Sequence, residues 1–213
     1  MLIIGARGHA MEIFPIVEQQ FAGEQFFFYD NVTPDMPDYI LGEHKLLRDL
    51  DAVKELFRVN TSFVLGVGGV KIRKQLTSFF DSQGGHLTSI IAPSAIINPH
   101  NVALGEGINV MHHTFISANV QIGRACLINS GAYVHHDVTI GDYCEIAPGA
   151  KLLGRCKVGA FTFIGTNAVV LPNVVIGDGV VVGAGAVVTN NVPDNTTVVG
   201  IPAVKTTHKI ISF

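Results

Sequence analysis

From residue 102 the chain divides into consecutive sixes: VALGEG, INVMHH, TFISAN, VQIGRA, CLINSG, AYVHHD, VTIGDY, CEIAPG, AKLLGR, CKVGAF, TFIGTN, AVVLPN, VVIGDG, VVVGAG and AVVTNN. The third residue is aliphatic in all fifteen, from Leu104 and Val110 to Val182 and Val188. A register held that long without an insertion excludes an ordinary sandwich and points to a solenoid. The first residue is always Val, Ile, Thr, Cys or Ala. Side chains alternate along a strand, so positions one and three face inward together. Position four is glycine at 105, 123, 141, 159, 165, 177 and 183 and asparagine at 129. Gly and Asn tolerate left-handed backbone angles, so the corner is expected there. Short strand, corner, short strand is a parallel β-helix.

The front of the chain has a different grammar. "MLIIGARGHA" reads as an apolar strand entering a glycine turn, and Ala10, Ile13, Phe14 and Val17 have helical spacing, with Pro15 awkward among them. Residues 25–31 read as a second strand, 44–57 as a helix and 61–68 as a third strand. Residues 70–84 read as an amphipathic helix with Val70, Ile72, Leu76, Phe79 and Phe80 on its apolar side. Strands alternating with helices predict a small parallel βαβαβ unit. A glycine turn after its first strand can present backbone N–H groups to a phosphate. The motif is G-A-R-G-H, with Arg7 where a dinucleotide fingerprint has its second glycine. One such half does not hold a whole dinucleotide, which argues against NAD.

Composition narrows the function classes. The net charge of −3 argues against a nucleic-acid partner, which selects a basic face. Apolar residues make up 48% and charged ones 15%, so buried surface between subunits is expected. The apolar runs are too short to span a membrane, and the N-terminus lacks the features of a signal peptide; a cytoplasmic protein is the expectation. Cys126, Cys144 and Cys156 all occupy position one of their hexads without CxxC spacing. They read as core fillers, with neither a disulfide framework nor a metal site.

The segments "LIIGARGHAMEI", "FYDN", "LGVGGVKIRKQL", "INSGAYVHHDVTIGD", "IAPGAKLLGRCKVG", "FIGTNAVVLP" and "VVGIPAVK" cover nearly the whole chain. Together they resemble the left-handed β-helix acyltransferases with hexapeptide repeats. Within that family they are similar to the subgroup that acetylates the amine of nucleotide-linked amino-dideoxy sugars, with sialic acid O-acetyltransferases as close relatives. The left hand is implied by this resemblance; the crossover rule of ordinary sheets would suggest the right. Three hexads per coil would give five coils, about 24 Å tall. The implied organisation is a Rossmann-like nucleotide-sugar-binding domain over residues 1–88, then a β-helix acetyltransferase domain with a C-terminal tail over 89–213. Acetyl-CoA would be the cosubstrate, with no metal. The partner would be a UDP-, dTDP- or GDP-linked amino sugar, and the assembly a homotrimer with sites between subunits.

The family pattern x-H-[DE]-x-x-I-G falls on Ile140 and Gly141, which makes His136 the base and Asp137 its acid. His135 is at corner position four, outside that place. An imidazole titrates near ~6.5 and can take a proton from an attacking amine, with the acid fixing its tautomer. Direct attack without an acyl-enzyme follows. On the coenzyme side the matches are Glu145, Gly154, Thr166, Ala184 and Lys205. Glu145 departs from the histidine often found there, because a carboxylate accepts and does not donate. On the acceptor side they are Arg7, Gly8, His9, Asp30, Asn31, Gly68 and Asn129. His112 and His113 raise a metal alternative with His135 and His136, but the intervening coil and a third places the pairs on different faces. The alternatives are O-acetylation of a sialic acid or other sugar hydroxyl, and a β-helix scaffold without catalysis.

Overall fold

Residues 1–206 are described by the computed structural model. The front sheet contains β1 (Leu2–Ile4), β2 (Phe27–Tyr29), β3 (Tyr39–Ile40), β4 (His44–Leu47), β5 (Ser62–Leu65) and β6 (His86–Leu87). Their order is β3-β4-β2-β1-β5-β6, parallel except for the β3–β4 pair. The helices are α1 (Gly8–Gln20), α2 (Leu50–Phe57) and α3 (Val70–Ser82). β1 and β5 are almost purely apolar because a central parallel strand is covered on both sides.

Two expectations for this domain are corrected. Residues 44–57 are not one helix. His44–Leu47 joins the sheet beside β2, and the helix starts only after Asp49, whose side chain accepts from Ala52 N at 2.8 Å. That is an ordinary N-cap. The inward side of α3 is also different: Ile72 and Phe79 are exposed, while Arg73 and Thr77 are fully buried. The reason is that α3 packs on a β-helix corner, where Arg73 donates to the carbonyl oxygens of Ala125 (3.0 Å) and Cys126 (3.4 Å), and it also donates to that of Val67 (2.9 Å) in the loop before α3.

The second part is a left-handed β-helix with three faces. Face one runs through Ile90–Ile91, Asn109–Val110, Leu127–Ile128, Glu145–Ile146, Phe163–Ile164 and Val181–Val182. Face two includes Ile96–Ile97, Phe115–Ile116, Tyr133–Val134, Lys151–Leu152, Val169–Val170 and Val187–Val188. Face three runs from Ala103–Leu104 to Val175–Ile176. Positions one and three of the hexads fill one continuous apolar core, where each aliphatic side chain stabilises by about 1.5–3 kcal/mol on burial. The β-helix starts two strands before residue 102, at Ile90. One extra residue between Ile97 and Ala103 breaks the count of six there and hides those two strands from the repeat.

The corner chemistry also differs from expectation. Left-handed backbone occurs at position six, as in Asn119 (φ 58), Asp137 (φ 61), Tyr143 (φ 55) and Phe161 (φ 56), not at position four. Where position four is Gly123 or Gly141, the glycine answers to another demand, the nearness of the next coil. A Cβ on Gly141 would lie 2.6 Å from Ala160 N, and one on Gly123 2.7 Å from Asp142 N.

Candidate active site

The corner between faces two and three holds His136. Asp137 turns the backbone there, and both side chains are about half exposed. His136 Nδ1 lies 2.7 Å from Asp137 Oδ2. Asp137 Oδ1 accepts from Asn119 Nδ2 at 3.0 Å, and Asn119 in turn accepts from Asn101 at 3.1 Å. These three residues stack at position six of successive coils. The hydrogen bonds from His136 and then Asn119 hold the Asp137 carboxyl below its ordinary value. A carboxylate only accepts, so Nδ1 carries the proton and Nε2 presents its lone pair. Nε2 has no hydrogen-bond partner among the described residues.

Gly154, one coil above, seats the ring. A Cβ at 154 would stand 2.6 Å from both Cε1 and Nε2 of His136. The imidazole therefore rests against a residue that has to be glycine. His135 points elsewhere and packs at 6.3 Å against the Phe115 ring of face two.

The remaining matched residues divide between places. Asn129, Thr166 and Ala184 follow strands of face one and lie on the corner between faces one and two. Thr166 and Ala184 are exposed; Asn129 is partly buried, with Oδ1 accepting from Ser130 N at 2.8 Å. His136 and Gly154 sit on the opposite border of face two. Lys205 is exposed on Val204–Lys205, which pairs antiparallel with Thr197–Val199 at the end of face one. Glu145, expected on the coenzyme side, is on neither corner. It lies on face one, is buried, and accepts from Gly69 N at 2.7 Å.

The front domain forms a second locus at the C-terminal ends of β1, β2 and β5. Arg7 and Gly8 are exposed at the start of α1, and no atom lies within 4 Å of a Cβ built on Gly8. His9 is partly buried, with Nδ1 3.1 Å from Glu12 and a buried, unpartnered Nε2; burial is the main reason its pKa is lowered. Burial pushes the Asp30 carboxyl up, yet hydrogen bonds from Thr33 and Val32 outweigh it and hold the group below its ordinary value. Oδ1 takes Val32 N and Thr33 N, and Oδ2 takes Thr33 Oγ1, which leaves an acceptor position on Oδ2. Asn31 is exposed, and Gly68 faces the Glu145 carboxylate.

Comparison with known proteins fits both halves. The model for the PglD N-terminal domain matches residues 1–79, and that for bacterial transferase hexapeptide repeats matches 119–154 and 155–190. A variant of perosamine N-acetyltransferase from Caulobacter crescentus, solved with CoA and GDP-perosamine, is 33% identical with a TM-score of 0.87; the alignment covers 97% of this chain and 96% of that one. The chain belongs to the hexapeptide-repeat sugar N-acetyltransferases. WeeI from Acinetobacter baumannii AYE is 32% identical over 96% of this chain and 98% of its own, with a TM-score of 0.87. The acetyltransferase domain of PglB from Neisseria gonorrhoeae FA1090 is 28% identical over 96% and 98%, with a TM-score of 0.85. No curated protein matches at a significant level.

In this acetyltransferase the cysteines are free and buried. Burial pushes the Cys156 thiol up to about 12 and raises Cys144 as well, which is contrary to what a nucleophile needs. Among the described residues no three His, Cys, Asp or Glu side chains gather as a metal site. Sequence reasoning missed Asn119, although reading every eighteenth residue would have shown the column Asn101, Asn119, Asp137. It also missed Arg73 and a cavity of about 640 Å³ between α3 and face one, lined by Val70, Lys71, Lys74, Phe161, Phe163 and Val181.

Proposed function

We propose that the enzyme transfers an acetyl group from acetyl-CoA to the amine of a nucleotide-linked amino-dideoxy sugar, with His136 as general base. One observation carries the reading: an imidazole held by a carboxylate on Nδ1 and seated on a glycine, whose Nε2 has no hydrogen-bond partner among the described residues. The similar protein crystallised with CoA and GDP-perosamine supports the substrate class. The coenzyme supplies a thioester. His136 Nε2 takes the proton released as the sugar nitrogen bonds to the thioester carbon, and Asp137 stabilises the imidazolium. The C–S bond then breaks, and the imidazolium returns its proton to the departing thiolate.

The site is shared between chains. His136 and Gly154 border face two on one side, and Asn129, Thr166 and Ala184 border it on the other. Face two itself shows Ile96 and Tyr133 to solvent. Three chains packed about a threefold axis, face two inward, bury that surface and bring one chain's His136 corner to its neighbour's Thr166 corner. Buried free thiols suit a reducing, cytoplasmic setting. The test is a panel of GDP-, UDP- and dTDP-linked amino sugars and their counterparts with a hydroxyl in place of the amine, each with acetyl-CoA and read by free-thiol release. The reading expects turnover of at least one amino sugar, abolished in His136→Ala. Turnover only of sugars lacking an amine would replace it with O-acetylation.

A further inference from the structure

In the front sheet β2 and β4 lie on one side of β1, while β5 and β6 lie on the other. Ligands of open parallel sheets settle at the strand ends beside such a switch. Two helix starts face this crevice, α1 after β1 and α3 after β5, and they are not equivalent. α1 begins at Arg7 with no side-chain cap and no acid in its first turn. At α3 the N-cap residue is Gly69, and its N–H is taken by Glu145 Oε2 at 2.7 Å. The acid thus comes from the β-helix, 76 residues away in sequence.

Glu145 is 9% exposed. A Cβ on Gly68 would lie 3.4 Å and 3.5 Å from its two carboxylate oxygens, so the carboxylate lies beside Gly68 at the wall of the crevice. Arg73 is near enough to interact electrostatically, but its donors go to the carbonyl oxygens of Val67, Ala125 and Cys126. Oε1 has no hydrogen-bond donor among the described residues.

A carboxylate in this place divides the crevice by charge. It fills the electropositive start of α3 and repels a phosphate from it, leaving the uncapped start of α1 as the anion end. Whatever lies beyond the phosphates toward the β-helix meets an acceptor bearing negative charge. A group with N–H donors and positive charge suits that place, and a hydroxyl suits it less. We propose that Glu145 is the residue that selects an amine on the acceptor sugar: Oε2 stays on Gly69 N–H while Oε1 accepts from the amino group in its ammonium form, which gives up one proton to solvent before the neutral amine attacks and passes the second to His136. This rests on the acetyl-transfer reading above, and moves Glu145 from the coenzyme side to the acceptor side.

The experiment pairs each nucleotide amino sugar of the panel with its counterpart bearing a hydroxyl in place of the amine. Affinities of both, and of the nucleotide diphosphate alone, are measured by calorimetry near pH 7 in wild type and Glu145→Gln. The variant keeps an oxygen for Gly69 N–H, and its thermal midpoint checks the fold. Wild type should bind the amino form about 10–100-fold more tightly, as for a charge-assisted hydrogen bond. Glu145→Gln should lose most of that preference by weakening the amino form alone. If the variant is unstable, the wild type answers instead, because raising the pH past the amine's own pKa should erase the preference. Absence of preference in wild type, or equal weakening of both sugars and the diphosphate, would overturn the assignment. An acetylated panel member without a Glu145-dependent preference removes only this assignment. A panel with no acetylated member removes the acetyl-transfer reading, and this one with it.

Discussion

The two corners that border face two are made by the same repeat but carry different chemistry. One presents His136, Asp137 and Gly154, an imidazole held by a carboxylate and seated on a glycine. The other presents Asn129, Thr166 and Ala184, small and polar groups, and its histidines, His112 and His113, lie one coil before Asn129, where His112 Nδ1 is 2.7 Å from Ser94 Oγ. On the proposed reading, their separation puts two halves of an acetyl-transfer site on opposite borders of one face. The fold makes both halves rigid, since each corner is locked to the coils beside it by backbone bonds such as Arg155 N to His136 O at 3.0 Å.

The sharpest way to break this comparison is at the base. His136→Ala should lower turnover by roughly 10²–10⁴-fold, the usual worth of a positioned general base. His135→Ala should do far less, because its ring leans on Phe115. Swapped effects would show that the wrong histidine has been assigned to the corner. Next in size is Gly154→Ala. The added methyl pushes the imidazole aside, and turnover should fall about 10–10²-fold with little change in coenzyme affinity, since misplacement by about 1 Å can cost that much. Unchanged turnover would mean that the ring is free to sit elsewhere.

A change in the front domain should leave both corners alone. Gly8→Leu meets no protein atom at its Cβ, so the fold should survive, yet the side chain would occupy space over the start of α1. Nucleotide-sugar affinity should drop about tenfold or more while coenzyme affinity stays put. Calorimetry with each ligand alone reads this, and equal losses would contradict separate loci. The smallest effect belongs to Asn119→Ala, which removes one donor from Asp137. The Asp137 carboxyl should titrate closer to its ordinary value by NMR, and turnover should fall only a few-fold. The sign follows from the hydrogen bonds, which favour the charged form and so depress the folded-state pKa.

The repeat makes most of the β-helix legible in the sequence. Fifteen third positions define the inward side, and the register places His136 on a corner; its choice as the base comes from the family pattern that ends in Ile140 and Gly141. Counting fails where the period slips, so one extra residue hides the two strands that start at Ile90. It also puts the left-handed corner at the wrong position, because glycine answers to two physical demands and sequence does not say which. At Gly141 the demand is space beside the next coil, not a left-handed angle. In the front domain, pairing decides, and pairing is not local. His44–Leu47 has helical company on its C-terminal side and is a strand because of β2. Arg73 and Glu145 are polar residues whose partners are 52 and 76 residues distant, beyond any motif.

Mixing subunits tests the divided site most directly. Chains with His136→Ala lack the base, and chains with Thr166→Trp block the opposite corner; each homogeneous protein should be inactive. After verified exchange of subunits, some interfaces join an intact His136 corner to an intact Thr166 corner, and a fraction of wild-type activity should return. Exchange without any recovery, or wild-type protein that is active as a monomer in light scattering, would contradict a site shared between chains.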